Sequence, residues 1–157
     1  MKLKYLIFTC LLIVGTLNSC KQDKGITFEE QLAADEVRIK DFIAKNNIPA
    51  VRHQTGLYYQ IIEPGAGSLV YTGNTSITAK YTLRLINGNT IPQPSEPIDF
   101  SLGGVIDGWQ IGIPLIQKGG KIRLIVPSGY AYGIAAQPGI PSNSILDFDI
   151  ELVDAQN

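Results

Sequence analysis

Histidine and cysteine are nearly missing from this sequence, which has one histidine, His53, and two cysteines, Cys10 and Cys20. A lone histidine cannot build a multi-histidine metal site, and its place ahead of the first strand-like segment marks it as a surface residue. Charge is scarce as well. Lys and Arg total 13, Asp and Glu total 14, and the net charge is −1 with no basic block or stripe. Nucleic-acid binding therefore has no electrostatic footing. Charged residues make up 17% against 45% hydrophobic, a balance that excludes a disordered tail or a coiled coil. The length, 157 residues, fits one domain with terminal extras.

A long apolar run is lacking too. The most apolar stretch, from Tyr5 to Val14, falls short of the roughly 20 residues that a spanning helix needs. It follows Lys2 and Lys4 and gives way to small and polar residues, the order of an export signal. Leu17-Asn18-Ser19-Cys20 resembles the bacterial lipobox, in which the signal is cut before a cysteine that then carries lipid. Asn18 is the less usual choice there, and an ordinary signal cut nearby, with Cys20 idle, is the other reading. Cysteine arithmetic favours lipidation. Cys10 leaves with the signal, so Cys20 is the single thiol of the mature chain, no internal disulfide is possible, and no thiol remains as a nucleophile. The expected organisation is a lipoprotein signal over 1–19, a tether over 20–27, a helical extension over 28–50 and a folded domain over 51–157. The expected location is the bacterial envelope, at the outer membrane and facing periplasm or surface. Lipid at Cys20 would be the membrane contact, each buried CH₂ contributing about 0.8 kcal/mol.

Thr27-Phe28-Glu29-Glu30 has the form of a capping box. It starts a helix over 28–48 with apolar Phe28, Leu32, Val37, Ile39, Phe42 and Ile43, ended by Asn46, Asn47 and Pro49. Asp35-Glu36 interrupts the apolar face, which predicts loose packing, on its own domain or on a partner. A dimerising helix is a third option, so monomer and dimer both stay open.

Beyond the helix the apolar period falls to two, predicting strands over 55–63, 75–87, 97–102, 121–127 and 144–154. Asn87-Gly88 signals a turn. In the last strand Asp147, Asp149 and Glu151 alternate with Phe148 and read as a solvated face, not as catalytic carboxylates. Residues 105–120 break the series, with Val105, Ile106, Trp109 and Ile113 at helical spacing and Pro114 limiting the helix to a turn or two. Five antiparallel strands with one short helix over their apolar face make an α+β fold.

The stretch VPSGYAYGIAAQPGIPSNS (126–144) holds two tyrosines and no acid, base or metal ligand. Gly65-Ala66-Gly67 is no dinucleotide fingerprint, since no helix follows it. The residues left for a site are aromatic and apolar: Tyr81, Phe100, Val105, Ile106, Trp109, Tyr130, Tyr132, Ile140 and Phe148. Core packing is the plain reading, Phe100 above all. Trp109 fits it less well, because a buried indole N–H needs a partner.

Several anchors carry a resemblance: Ala79-Lys80-Tyr81-Thr82, Asn87-Gly88, Val105-Ile106-Asp107-Gly108-Trp109, Gly129-Tyr130-Ala131-Tyr132-Gly133, and Leu146-Phe148-Asp149-Glu151-Leu152. In this order and spacing the chain resembles the FKBP peptidyl-prolyl cis-trans isomerases over roughly 56–154. The resemblance implies a twisted five-stranded antiparallel sheet wrapped around one short helix, an apolar pocket between them, and here an extra N-terminal helix. It implies catalytic roles for Tyr81, Trp109, Tyr132 and Phe148, with Trp109 as floor and the Tyr132 hydroxyl donating to substrate; Tyr130 is structural. It assigns substrate binding to Val105, Ile106, Ile140, Ile91 and Ile98, with the Ile106 N–H donating to a ligand carbonyl. No cofactor and no metal are implied. The implied partners are proline-containing polypeptide clients, with macrolides as a candidate ligand class. Where the family has an aromatic followed by an aspartate, this sequence has Ile91 and Pro92. Ile98 replaces a second wall aromatic, Gln137 replaces a frequent histidine, and IPQPSEP (91–97) is proline-rich. These departures imply weakened catalysis, or a non-catalytic proline-peptide-binding module or chaperone on the same fold.

Overall fold

The computed structural model describes residues 25–157; the signal-like segment, most of the tether and Cys20 lie outside the described residues. The chain runs α1 (Phe28–Lys45), β1 (Val51–Arg52), β2 (Tyr58–Glu63), β3 (Ser76–Leu85), β4 (Thr90–Ile91), β5 (Ile98–Ser101), α2 (Asp107–Gly112), β6 (Lys121–Val126) and β7 (Leu146–Gln156). All strand pairs are antiparallel in one sheet of order β1-β2-β6-β7-β3-β4, with β5 also paired to β3. The α+β class is as expected, but the sheet has seven strands rather than five. The two added strands, β1 and β4, are two residues long, too short to show any alternation. Gly88, at φ +93°, makes the turn between β3 and β4. No helix among the described residues is long and apolar enough to cross a membrane.

The inner face of the sheet carries the main core. Leu124, Phe148 and Leu83 stand side by side across β6, β7 and β3. α2 lies against this face at a distance only glycine permits. A Cβ on Gly108 would sit 2.4 Å from Val126 Cγ1, and one on Gly112 would sit 2.5 Å from Leu124 Cδ1. The backbone of α2 thus touches β6, and Trp109 between these glycines is driven into the sheet.

The outer face corrects two expectations. α1 has its capping box, with the Thr27 N–H donating to Glu30 Oε2 at 2.8 Å and the Glu30 N–H donating to Thr27 Oγ1 at 3.2 Å. Asp35, however, does not loosen the helix. It is fully buried, and Oδ2 accepts the Ser128 N–H at 2.7 Å and the Ser128 hydroxyl at 2.6 Å. Ile39 beside it joins Ile48, Tyr58, Ile125 and Ile145 in a second apolar cluster. Glu36 ties the helix to β1, where hydrogen bonds from Arg52 and then Lys40 hold its carboxyl at about 2. The helix is therefore docked on its own domain.

Asp147 is the second correction, since its side chain is 2% exposed. Arg123 donates to both its oxygens at 2.8 Å, and Arg84 Nε donates to Oδ2 at 3.1 Å. Arg84 also reaches Asp149 at 2.6 Å. Strand alternation places Asp147 outward as expected, but Arg84 and Arg123 close over it, and Ile39 of α1 clusters with the neighbouring Ile125 and Ile145, so the outer face is not solvated there.

Candidate functional site

A cavity of about 450 Å³ opens between the inner face of the sheet, α2 and the loop that leads into β7. Trp109, 3% exposed, forms its floor. Three rings meet the indole edge to face: Tyr81 at 4.9 Å, Phe100 at 5.6 Å and Phe148 at 5.6 Å between centroids. Such edge contacts add to the area that the rings bury and fix their orientation. Tyr81 comes from β3, Phe148 from β7 and Phe100 from β5, so three paired strands converge on one residue of α2. The glycines flanking Trp109 are what allow this convergence.

Polar groups in the cavity are few and neutral. The Trp109 Nε1–H is buried and has no acceptor among the described residues, an arrangement that costs free energy unless something else accepts the bond. Ile106 is the N-cap of α2, and its carbonyl accepts the Trp109 N–H at 2.9 Å and the Gln110 N–H at 3.2 Å. Gln110 Nε2 donates to the Val105 carbonyl at 2.8 Å and so braces the segment leading into the helix. The Ile106 N–H itself meets no acceptor among the described residues. Burial pushes the Tyr81 hydroxyl above its ordinary value of 10, with the nearby Tyr132 adding to the shift.

The loop walls the opposite side. Tyr132, Gln137, Pro138 and Ile140 line the cavity. The loop is closed on itself by backbone bonds: Gly133 N–H to Ser128 at 2.8 Å, Asn143 N–H to Gly133 at 2.7 Å, and a reciprocal pair between Gln137 and Ile140. Tyr130 points elsewhere. Its hydroxyl donates to the Thr55 carbonyl at 3.0 Å, and its ring meets Phe28 edge to face at 5.4 Å.

The structure brings eight of the nine sequence-selected pocket residues to this cavity: Tyr81, Ile91, Val105, Ile106, Trp109, Tyr132, Ile140 and Phe148. Ile98 is not among the lining. It pairs with Ala79, two residues along β5 from Phe100, and it is Phe100 that reaches the cavity. Phe100, taken from the sequence as core, thus does both jobs. Gln93 was missed. It lines the cavity one residue beyond Pro92, with Nε2 donating to the Ile91 carbonyl at 3.4 Å. The only sequence signal for it is the absence of the expected aspartate. His53 lies off the site, with Nδ1 3.0 Å from Thr55 Oγ1.

Comparison with known proteins agrees with this geometry. A family profile described as FKBP-type peptidyl-prolyl cis-trans isomerase matches residues 70–153. The chain is 45% identical over 141 residues to the FKBP-type peptidyl-prolyl cis-trans isomerase FkpA of Escherichia coli K12, covering 87% of this chain and 52% of that protein. A similar match, 40% identical over 126 residues, covers 78% of this chain and 49% of FkpA from a Buchnera aphidicola strain. The chain thus spans about half the length of the curated relatives it matches. Among solved structures, the crystal structure of FkpA from Escherichia coli superposes with a TM-score of 0.69 at 38% identity, covering 82% of this chain and 62% of that one. A peptidyl-prolyl cis-trans isomerase from Pseudomonas syringae superposes at 0.67 with 28% identity, covering 85% of this chain and 98% of that one.

Proposed function

The chain belongs to the FKBP-type peptidyl-prolyl cis-trans isomerase family, and on that premise we propose that it isomerises Xaa-Pro bonds of folding polypeptides in the aromatic cavity. One observation carries the reading: the residues lining the cavity include no acid, base, histidine or cysteine, only rings, aliphatics and neutral amides. That is a poor site for hydrolysis and a suitable one for a rotation.

Rotation about a peptide C–N bond faces a barrier of about 18–20 kcal/mol, because resonance gives the bond double character. Water stabilises the polar planar form more than the twisted one. A dry cavity withdraws that stabilisation, and lower dielectric strengthens any hydrogen bond made to the twisted form. Trp109, Tyr81, Phe100 and Phe148 exclude water and hold the proline ring. The Tyr132 hydroxyl and the Ile106 N–H donate to the flanking carbonyls. Only Xaa-Pro bonds have cis and trans close enough in energy to be useful substrates.

The test is two-dimensional NMR exchange on Xaa-Pro peptides with and without the protein. Enhanced exchange is expected, with kcat/KM flat to about twofold between about pH 5 and about pH 9, since the lining holds no carboxylate, histidine, cysteine or amine. A bell-shaped profile would mean that a general acid or base has been overlooked. Ile91 and Pro92 favour a second reading, a binding module with little turnover: binding of the same peptides without enhanced exchange would select it.

For location we propose export and lipid anchoring through Cys20, supported by the lipobox resemblance of residues 17–20. Labelled palmitate fed to expressing bacteria should enter the wild-type chain and not Cys20→Ser. Equal labelling of both would remove the anchor.

A further inference from the structure

We propose that Asp35 is a positioning residue for the cavity: through Ser128 it fixes the loop that carries Tyr132, so that α1 sets one wall from outside the pocket. The inference rests on the peptide-binding reading of the cavity but not on turnover.

Asp35 is buried completely, and a buried carboxylate is a costly way to dock a helix; an aliphatic side chain would serve for adhesion alone. What a carboxylate adds is convergence on a point. Its Oδ2 takes both donors of a single residue, the N–H and the hydroxyl of Ser128, at 2.7 and 2.6 Å. Its Oδ1 is held by Gln31 Nε2 at 2.9 Å and by Arg38 Nη1 at 3.4 Å, which fixes its rotamer. Charge-assisted bonds of this length define position more sharply than apolar contact, which can slide.

Ser128 passes the constraint on. Its carbonyl accepts the N–H groups of Ala131 and Gly133, at 3.0 and 2.8 Å, and these residues flank Tyr132. Two residues of α1 grip this turn at consecutive positions. Asp35 holds Ser128, while the Phe28 ring lies so close over Gly129 that a Cβ there would come within 2.6 Å of it. The Tyr132 side chain has little else to hold it, since the residue is 37% exposed and its hydroxyl makes no hydrogen bond among the described residues. The place of this wall is therefore decided by the backbone under it, and that backbone is bonded to α1.

The test is a double-mutant cycle of Asp35→Asn against Tyr132→Ala, read as the Kd of an Xaa-Pro peptide from Trp109 fluorescence. Asp35→Asn should weaken binding about tenfold in the wild-type background and less than about twofold when Tyr132 is already gone, the signature of coupled residues. An equal factor in both backgrounds, or no loss in either, overturns the proposal. Ser128→Ala keeps the backbone bond to Asp35 and gives a milder variant, with a loss of about threefold and the same dependence on Tyr132. A ligand-free readout is amide exchange in the full chain. Gly133 and Ala131 should exchange about tenfold faster in Asp35→Asn while β7 amides keep their protection. Unchanged exchange at Gly133 rejects the proposal even if the wild-type chain binds no peptide, and an inactive enzyme that still shows the coupling rejects only the catalytic reading.

Discussion

Asp147→Ala is expected to lower the unfolding free energy by about 3 kcal/mol or more, the range found when one partner of a buried ion pair is removed. The substitution takes a carboxylate from two guanidinium groups at once, stranding Arg123 and leaving Arg84 with Asp149 at 2.6 Å. Arg84 and Arg123 both lose a carboxylate they hold at 2.8 to 3.1 Å, at the junction of β3, β7 and β6. Their side chains are 26% and 23% exposed, so water recovers part of the loss and the effect belongs at the lower end of the range. Asp149→Ala, whose side chain is 43% exposed, should cost under about 1 kcal/mol. Urea unfolding of the two variants with an unchanged slope checks the contrast. Equal midpoints for both would mean that the outer face is solvated after all.

Trp109→Ala is expected to cost about 3–5 kcal/mol, as for large-to-small changes of buried aromatics, and to abolish peptide binding by about a hundredfold or more. Three rings lose their shared edge contact, and the cavity floor opens to water. Trp109→Phe separates the two effects. It keeps a ring and deletes an indole N–H that has no acceptor, so it should cost less than the lost area suggests. If Trp109→Ala, assayed well below its midpoint, still binds Xaa-Pro peptide within about threefold of wild type, the indole is not the floor.

Much of this was legible in the residues. Alternation marked the five longer strands, and Val105, Ile106, Trp109 and Ile113 at helical spacing marked the short helix over their apolar face. The capping box at Thr27 and Glu30 named the start of α1 correctly. What escaped reading has a common cause: it depends on what covers a surface, not on the local period. Asp35 looked like a break in an apolar face because nothing in its neighbourhood announces Ser128, 93 residues away. Asp147 looked solvated because alternation gives the side of the sheet and says nothing of two arginines that close over it. Gln93 was hidden behind Pro92, since a polar replacement offset by one residue leaves no pattern. Ile98 and Phe100 sit on the same face, and only strand register separates the one that reaches the cavity from the one that does not.

The order of the strands has a consequence for how the chain can be made. β7, the last strand in sequence, lies between β3 and β6, and the sheet is continuous only through it. Until residues 146–156 emerge, β1, β2 and β6 form one fragment and β3, β4 and β5 another, each with an unpaired edge and an uncovered apolar face. Long-range pairing of this kind delays closure, and exposed edges of nascent sheets invite aggregation. A chain of this topology is thus itself a demanding folding problem while it is being made. Truncation within the eleven-residue β7 would leave two sticky halves with no domain between them, rather than a slightly weaker fold.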